Sequence, residues 1–245
     1  KESVIAVCPL ASMEQHGHHL PLLTDTHLVT AVAEGVHERV GDSIVLLPTL
    51  WLGASDHHID FPGTVTVSNT DYVHIIKSII ASLISAGFWK ILFLNGHGGN
   101  VAPGEVAITQ MADDSDDCNE AYIALASYWT VASDAMAADK HGMTQSSLSH
   151  ACEYETSMML HLHKDLVVMD RAVGFDSVEP DLPSGARLAG RFNLNSETGA
   201  LGSPQLATAE KGESLLNSII GEVETLIRQM ATWPLRDVLG PVDPA

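Results

Sequence analysis

The chain has 245 residues, of which 45% are hydrophobic and 18% charged, as expected for a globular protein with a large buried core. Its formal net charge of −19 would repel a phosphate backbone, which argues against nucleic acid as a partner. No apolar run approaches the roughly 20 residues needed to cross a bilayer, so we expect no membrane partner either. One domain covering residues 1–245 fits this length.

Short apolar runs alternate with longer amphipathic runs along most of the chain. In chain order, we predict a strand at 4–9, a helix at 26–40, a strand at 43–48, a helix at 69–86, a strand at 89–94, a helix at 101–112, a strand at 122–128, and helices at 150–163 and 208–229. This alternation predicts an α/β fold with a parallel sheet covered by helices on both faces.

Two stretches depart from this alternation. Residues 169–205 are rich in Gly, Pro, Ser and Asn, and a stretch of this length without regular structure usually has a functional role or forms an interface arm. The tail after Trp233 is predicted to be a surface extension.

The cysteines indicate a reducing compartment. Cys8, Cys118 and Cys152 are few, odd in number and without zinc-finger spacing, so a disulfide scaffold is not expected. The chain also enters its first strand without a basic leader and apolar signal region. We therefore expect a cytoplasmic protein.

Side chains typical of metal ligands follow the first predicted strand. Glu14 and His16 are two residues apart, so an extended backbone would point both side chains to one side. Asp25 stands at the start of the next helix and can return to the same place. Ligands bind beyond the carboxyl ends of parallel strands, which is where these residues are predicted to lie.

Two later segments bring further ligand candidates to the same edge. The apolar strand at 89–94 leads into His97, and Gly98 and Gly99 would let the backbone turn tightly there. The segment after the strand at 122–128 leads to His150 and to the carboxylates of Glu153 and Glu155. A mixture of imidazole and carboxylate suits zinc, manganese or iron.

Each of these residues also has an ordinary structural explanation. A single His97 could be a surface or core histidine, Asp25 could be a helix N-cap, and Glu153 and Glu155 could be solvated helix residues. The pair Gly98-Gly99 could cradle a phosphate, but no P-loop lysine follows it. The sequence has no G-x-S-x-G elbow, which argues against a serine nucleophile, and no H-E-x-x-H motif. The placement of all the ligand candidates at the ends of predicted strands favours a metal site over these separate explanations.

Four motifs resemble signatures of the creatininase (creatinine amidohydrolase) family. The first is SMEQHG at 12–17, which continues through HLPLLTD at 19–25. The others are FPGT at 61–64, NGHGGN at 95–100 and HACEYETS at 150–157. They occur in the family's order between about positions 5 and 165, whereas the last third of the chain matches less clearly.

The resemblance implies a three-layer αβα sandwich with a mostly parallel central sheet, a centre of two divalent metal ions (Zn, Mn or Fe) and a homohexamer. Carried onto this chain, it implies that Glu14 and His97 hold one metal, that His16 holds the other, and that Asp25 bridges them. Creatininase has a further carboxylate ligand at the position of Gly99 here. Members with this Gly-Gly pattern draw that ligand from the later motif, which assigns it to Glu153.

The resemblance also implies residues that bind substrate. Trp129 matches one of two tryptophans that line the creatininase pocket, and His58 is a further candidate for substrate binding. The second tryptophan position is Ser146 here, a departure that argues against creatinine as the substrate.

The implied reaction is hydrolysis of a carbon–nitrogen bond in a small molecule, in an amide, cyclic amide or formamide but not in a peptide. A hydroxide bridging the two metals would attack the carbonyl, because a bound cation can lower the pKa of water to about 7. His150 is the candidate acid for the leaving nitrogen, and Glu155 would orient His150 or bind the substrate N–H; the two roles could be exchanged. A two-metal phosphoesterase, a peptidase of cofactor or peptide maturation and a non-catalytic family member remain alternatives.

Overall fold

A computed structural model of the protein describes residues 4–114, 116–178, 180, 183 and 188–235. Its centre is a four-stranded sheet in the order β2-β1-β3-β4, and all neighbouring strands are parallel. The strands are β1 (Ile5–Leu10), β2 (Ile44–Leu46), β3 (Lys90–Asn95) and β4 (Tyr122–Ser127). Every residue of β1 and β3 is buried. Their nearly continuous apolar sequences are those expected of central strands that helices cover on both faces.

The described helices connect and follow these strands. They are α1 (Thr24–Val40), α2 (Asn69–Ser85), α3 (Val101–Asp114), α4 (Asp116–Glu120), α5 (Tyr128–Val131), α6 (Ala138–His141), α7 (Glu153–Leu162) and α8 (Ala209–Thr232). The hydroxyl of Ser68 caps α2, and that of Thr208 caps α8, each by accepting a backbone N–H of the first turn.

The two faces of the sheet carry separate hydrophobic cores. Val7 and Leu92 point to the face covered by α1, α7 and α8, whereas Cys8 and Phe93 point to the face covered by α2 and α3. This alternation follows from the two-residue period of a strand. The arrangement confirms the predicted α/β fold with a parallel central sheet between two helical layers.

Most element bounds agree with the prediction to within a few residues, but two differences bear on function. Helix α1 begins at Thr24 with Leu23 as its N-cap, so Asp25 lies inside the first turn and is not a cap. Helix α7 begins at Glu153 instead of residue 150, because Ala151 adopts a left-handed backbone with φ 49° that interrupts a helix before Cys152. The short helices α4, α5 and α6 were not predicted.

Where described, the segment at 169–205 contains only short 3-10 turns at Met169–Arg171, Phe192–Leu194 and Pro204–Leu206. The description of the chain ends at residue 235, so most of the predicted surface extension after Trp233 lies outside the described residues. Within the described part of the chain, no helix is both long and apolar enough to cross a membrane.

Candidate metal centre

The loops after the parallel strands converge at one edge of the sheet. The loop after β1 carries Glu14 and His16, and α1 follows it with Asp25 in its first turn. The loop after β3 carries His97, as predicted from its position behind a central strand. All four side chains are almost completely buried, with 0–4% of each side chain exposed.

The carboxylate of Asp25 is shared between two histidines. Its Oδ1 lies 3.0 Å from His16 Nε2, and its Oδ2 lies 2.9 Å from His97 Nδ1. On the His97 side, Glu14 Oε1 lies 3.4 Å from His97 Nδ1. One oxygen directed to each side is the arrangement that a carboxylate needs in order to bridge two cations.

Backbone carbonyls fix the orientation of three histidine rings. His16 Nδ1 lies 3.1 Å from Glu14 O, His97 Nε2 lies 3.2 Å from Ala54 O, and His150 Nε2 lies 2.9 Å from Gln15 O. When that nitrogen donates its proton to the carbonyl, the other ring nitrogen is left with a lone pair facing the carboxylates. Such hydrogen bonds to the second nitrogen are usual for histidines that bind metals.

The two glutamates of the later motif point in different directions. Glu153 Oε2 accepts the backbone N–H groups of Thr144 and Gln145, and Glu153 Oε1 forms an ion pair with Lys211 of α8. Both of its oxygens are therefore engaged outside the cluster, which corrects the assignment of Glu153 as a metal ligand. Glu155 instead faces the cluster, with a carboxylate oxygen within 4.8 Å of donor nitrogens of His16 and His150.

The buried carboxylates lack the partners that a closed protein interior would supply. Among the described residues, Glu14 Oε2 and Glu155 Oε2 are buried without a hydrogen-bond partner. Burial and the neighbouring Asp25 raise the pKa of Glu155 to about 7, although His16 acts in the opposite direction. Burial likewise raises the pKa of Glu14. Glu14, Asp25 and Glu155 are buried together, so ionising all three without a nearby positive charge is costly. Bound cations would supply that charge.

The histidines respond to the same carboxylates. Burial alone would lower the pKa of His16, but the ion pair with Asp25 and the nearby Glu155 raise it to about 10. Burial would also lower the pKa of His97, and Glu14 and Asp25 raise it to about 9. The pKa of His150 is held well below its usual value by burial and by His16, so His150 is neutral near pH 7.

A cavity of about 300 Å³ opens onto this cluster. Its walls include the predicted substrate-binding residue Trp129, together with Leu148, His150 and Phe192. His58, the other predicted substrate-binding residue, does not line the cavity because it is fully buried behind it. Its ring packs 4.2 Å from that of Phe192 and 4.3 Å from that of His150, so it supports the wall from behind.

The backbone at Gly99 leaves no room for a side chain. A Cβ at this position would overlap the carbonyl oxygen of Ala54 and would lie 2.5 Å from His97 Nε2 and 2.9 Å from His57 Cε1. A carboxylate ligand at position 99 is therefore incompatible with this loop conformation, whereas Glu155 is a carboxylate of the described residues that does reach the cluster.

Two residues of the site were not predicted from the sequence. His57 precedes His58 in a 3-10 turn after β2, lines the cavity and stacks on His97 with ring centroids 5.7 Å apart. The motif FPGT at 61–64 pointed to this loop but not to His57. Phe192 comes from the irregular segment, where no periodicity indicates which side chain folds inward.

Together, these residues form groups that could hold metal ions: Glu14, His16 and Asp25; Glu14, His57 and His97; His16, His150 and Glu155; and Glu14, His58 and His150. In each group, the donor atoms lie within 4.8 Å of one another. The donor set, the unpartnered oxygens and the ring orientations all fit divalent cations.

Comparisons with known proteins agree with the motifs. The model of the family described as creatininase, creatinine amidohydrolase, matches residues 1–227. The mycofactocin precursor peptide peptidase of Mycolicibacterium smegmatis is 33% identical over 224 residues, covering 88% of this chain and 81% of that protein. The creatinine amidohydrolase of Pseudomonas putida is 27% identical over 237 residues, covering 92% and 89%.

The fold also resembles solved structures of the same kind. A structure of creatininase in a manganese form superposes with a TM-score of 0.76 at 27% identity, covering 93% of this chain and 91% of that one. The matches confirm the resemblance inferred from the four motifs.

Proposed function

Because this chain belongs to the creatininase family of hydrolases, we propose that it is a metal-dependent hydrolase that cleaves an amide carbon–nitrogen bond of a small molecule. The observation that carries this proposal is the position of Asp25, whose two oxygens are directed at two separate histidines. We propose that Glu14 and His97 hold one divalent cation and that His16 and Glu155 hold a second, with Asp25 between them. Zinc, manganese and iron suit these donors.

When bound, the cations supply Lewis acidity to a substrate carbonyl and lower the pKa of water. The work of moving protons falls to His150. Its Nε2 is bonded to the carbonyl oxygen of Gln15, so its Nδ1 is the nitrogen free to act, 3.4 Å from Glu14 Oε1. Burial and His16 keep this ring neutral, so Nδ1 has a lone pair that can accept a proton from the attacking water and then pass it to the leaving nitrogen.

The wall of the cavity positions the substrate in this proposal. Trp129 and Phe192 both line the cavity and offer apolar surface to a substrate. Phe192 also packs edge-on against the His150 ring at 4.8 Å, which restrains the orientation of Nδ1. Neither contact requires creatinine, and Ser146 leaves more room than a tryptophan would at that position.

Two classes of amide substrate are candidates, a small amide of the size of creatinine and an extended amide. The relatives include a protein named as a peptide peptidase and one named as a creatinine amidohydrolase. A second cavity of about 210 Å³ shares Trp129 and Leu148 with the first as walls. This added volume favours an extended amide, such as a short peptide, as the second candidate substrate.

The proposal is tested by assaying protein reconstituted with Zn²⁺, Mn²⁺ or Fe²⁺ for ammonia or amine release. The panel consists of creatinine and other lactams, formamides and short peptides, with phosphate monoesters and diesters added for the rival phosphoesterase. We expect amide hydrolysis that chelation abolishes, and its loss in Asp25→Asn. Release of phosphate alone would favour the phosphoesterase, and metal-loaded protein inactive on every amide would contradict the proposal.

A further inference from the structure

We propose that His57 is a third protein ligand of the cation held by Glu14 and His97, an inference that rests on the proposed metal centre. His57 belongs to the loop after β2, which supplies none of the other assigned ligands. About a third of its side chain is exposed, and its ring forms part of the cavity wall. Its donor nitrogen lies within 4.8 Å of donor atoms of both Glu14 and His97.

The second oxygen of Glu14 supplies an independent reason. Oε1 of this carboxylate lies 3.4 Å from the ring nitrogens of both His97 and His150. Oε2 is buried without a hydrogen-bond partner among the described residues, and His57 Nε2 lies 4.0 Å from it. A buried oxygen is thus directed towards a nitrogen that stands just beyond hydrogen-bonding reach.

A separation of 4.0 Å is too long for a hydrogen bond and lies just within the largest separation that two ligands of one ion can have. Donor atoms that each lie about 2.1 Å from a cation are separated by about 3.4 Å at a tetrahedral angle and by at most about 4.2 Å. The distance of 3.4 Å between Glu14 Oε1 and His97 Nδ1 falls in the same range. A cation held by Glu14 and His97 would therefore have Glu14 Oε2 and the His57 ring beside it, and an inward shift of this partly exposed ring would complete the contact.

Gly99 explains why the ring of His57 can occupy this position. A Cβ at residue 99 would lie 2.9 Å from His57 Cε1, so any side chain there would compete with the imidazole for space. Because residue 99 is a glycine, the His57 ring has room to pack against the loop after β3. It lies nearly parallel to the His97 ring, at an interplanar angle of 16°. This half of the centre would then have two imidazoles and one carboxylate of its own, with Asp25 as the shared ligand.

Cobalt(II) is a suitable probe because its visible absorption reports the number and type of ligands independently of activity. We would titrate Co²⁺ into the metal-free parent protein and into His57→Gln, His57→Ala and the control His74→Gln, which changes an exposed histidine of α2. We expect both His57 variants to bind one of the two Co²⁺ ions at least tenfold more weakly in competition with a chelator, with an altered visible spectrum. His74→Gln should match the parent.

Added imidazole provides a direct check of ligation. Because His57 is partly exposed at the cavity wall, free imidazole should enter the space left in His57→Ala and restore the parent spectrum. Thermal unfolding of the metal-free variants should match that of the parent, which separates lost ligation from lost folding.

Parent-like Co²⁺ affinity and spectrum in both His57 variants would overturn this inference. If Asp25→Asn lost Co²⁺ in the same experiment, the metal centre and the proposed function would stand without His57. A parent protein that bound no Co²⁺ would reject the metal centre itself.

Discussion

Lys211 of α8 forms an ion pair with Glu153 at the first turn of α7, and this pair turns the Glu153 carboxylate away from the metal cluster. The backbone N–H groups of Thr144 and Gln145 bind the other Glu153 oxygen. Glu153 thereby ties α8, α7 and the loop before α7 together, and this loop carries Leu148 of the cavity wall. Its role is to position the site, whereas Glu155 faces the cluster.

The two glutamates should therefore give opposite results on substitution. We expect Glu153→Gln to keep the metal content of the parent but to lower the free energy of unfolding by about 1–3 kcal/mol, because charge-assisted hydrogen bonds are lost. Glu155→Gln should instead retain stability and lose metal. Elemental analysis and denaturant unfolding measure the two effects; equal metal loss in both variants would restore Glu153 as a ligand.

Substitution of His150 should separate catalysis from metal binding. We expect His150→Ala to retain both metal ions yet lose at least about 100-fold in turnover, the usual contribution of acid–base catalysis. His74→Ala serves as the control, since this histidine lies on α2 away from the cluster. Turnover in His150→Ala within a few-fold of the parent would exclude the proton-transfer role, and lost metal would make His150 a ligand.

Metal binding should release protons near neutral pH. In the metal-free protein, the pKa values of His16 and His97 are raised to about 10 and about 9, so both rings are protonated at pH 7. Each must become neutral to bind a cation, and Glu155, whose pKa is raised to about 7, must lose the proton it carries in part of the molecules. We therefore expect release of about two to three protons and an affinity that rises with pH towards 9. Calorimetry in buffers of different ionisation enthalpy counts these protons; a release near zero would contradict the prediction.

The same shifts set the pH dependence of the metal-free fold. A histidine whose pKa is raised from 6.5 to about 10, as for His16, contributes its full stability below pH 6.5. That contribution is lost as the pH rises towards 10. Metal-free protein should therefore become easier to unfold between these pH values, and the metal-bound protein should not show this loss.

Ser146 should control the size of substrate that the protein accepts. It lines the second cavity, so we expect Ser146→Trp to fill that space and lower kcat/KM for short peptides about tenfold or more, with little change for a creatinine-sized amide. Ser147→Ala, a neighbouring wall residue, is the matched control. Parallel losses on large and small amides would show that the second cavity does not hold substrate.

The fold followed readily from the sequence because its strands are short, apolar and separated by amphipathic runs. The convergence of the ligand candidates behind β1 and β3 was also predictable, since the carboxyl ends of parallel strands meet at one edge. Residues such as Glu14, His16 and His97 needed only the correct strand assignment to be placed together.

The choice between Glu153 and Glu155 did not follow from the sequence. Residues two apart on a helix lie on nearly opposite faces, and the sequence does not state which face of α7 points inward. That direction is set by Lys211, which is 58 residues away along the chain. His57 and Phe192 were missed for a related reason, because they come from loops whose conformation depends on distant contacts.

The crowded surroundings of Gly99 restrict how the candidate metal centre can change. Introducing Gly99→Glu, the substitution that would recreate the creatininase ligand pattern, requires the Ala54 carbonyl and the His57 ring to move first. A single replacement should therefore disrupt the centre instead of converting it. A carboxylate at position 99 would therefore have to be accompanied by changes in the loops after β2 and β3 that make room for it.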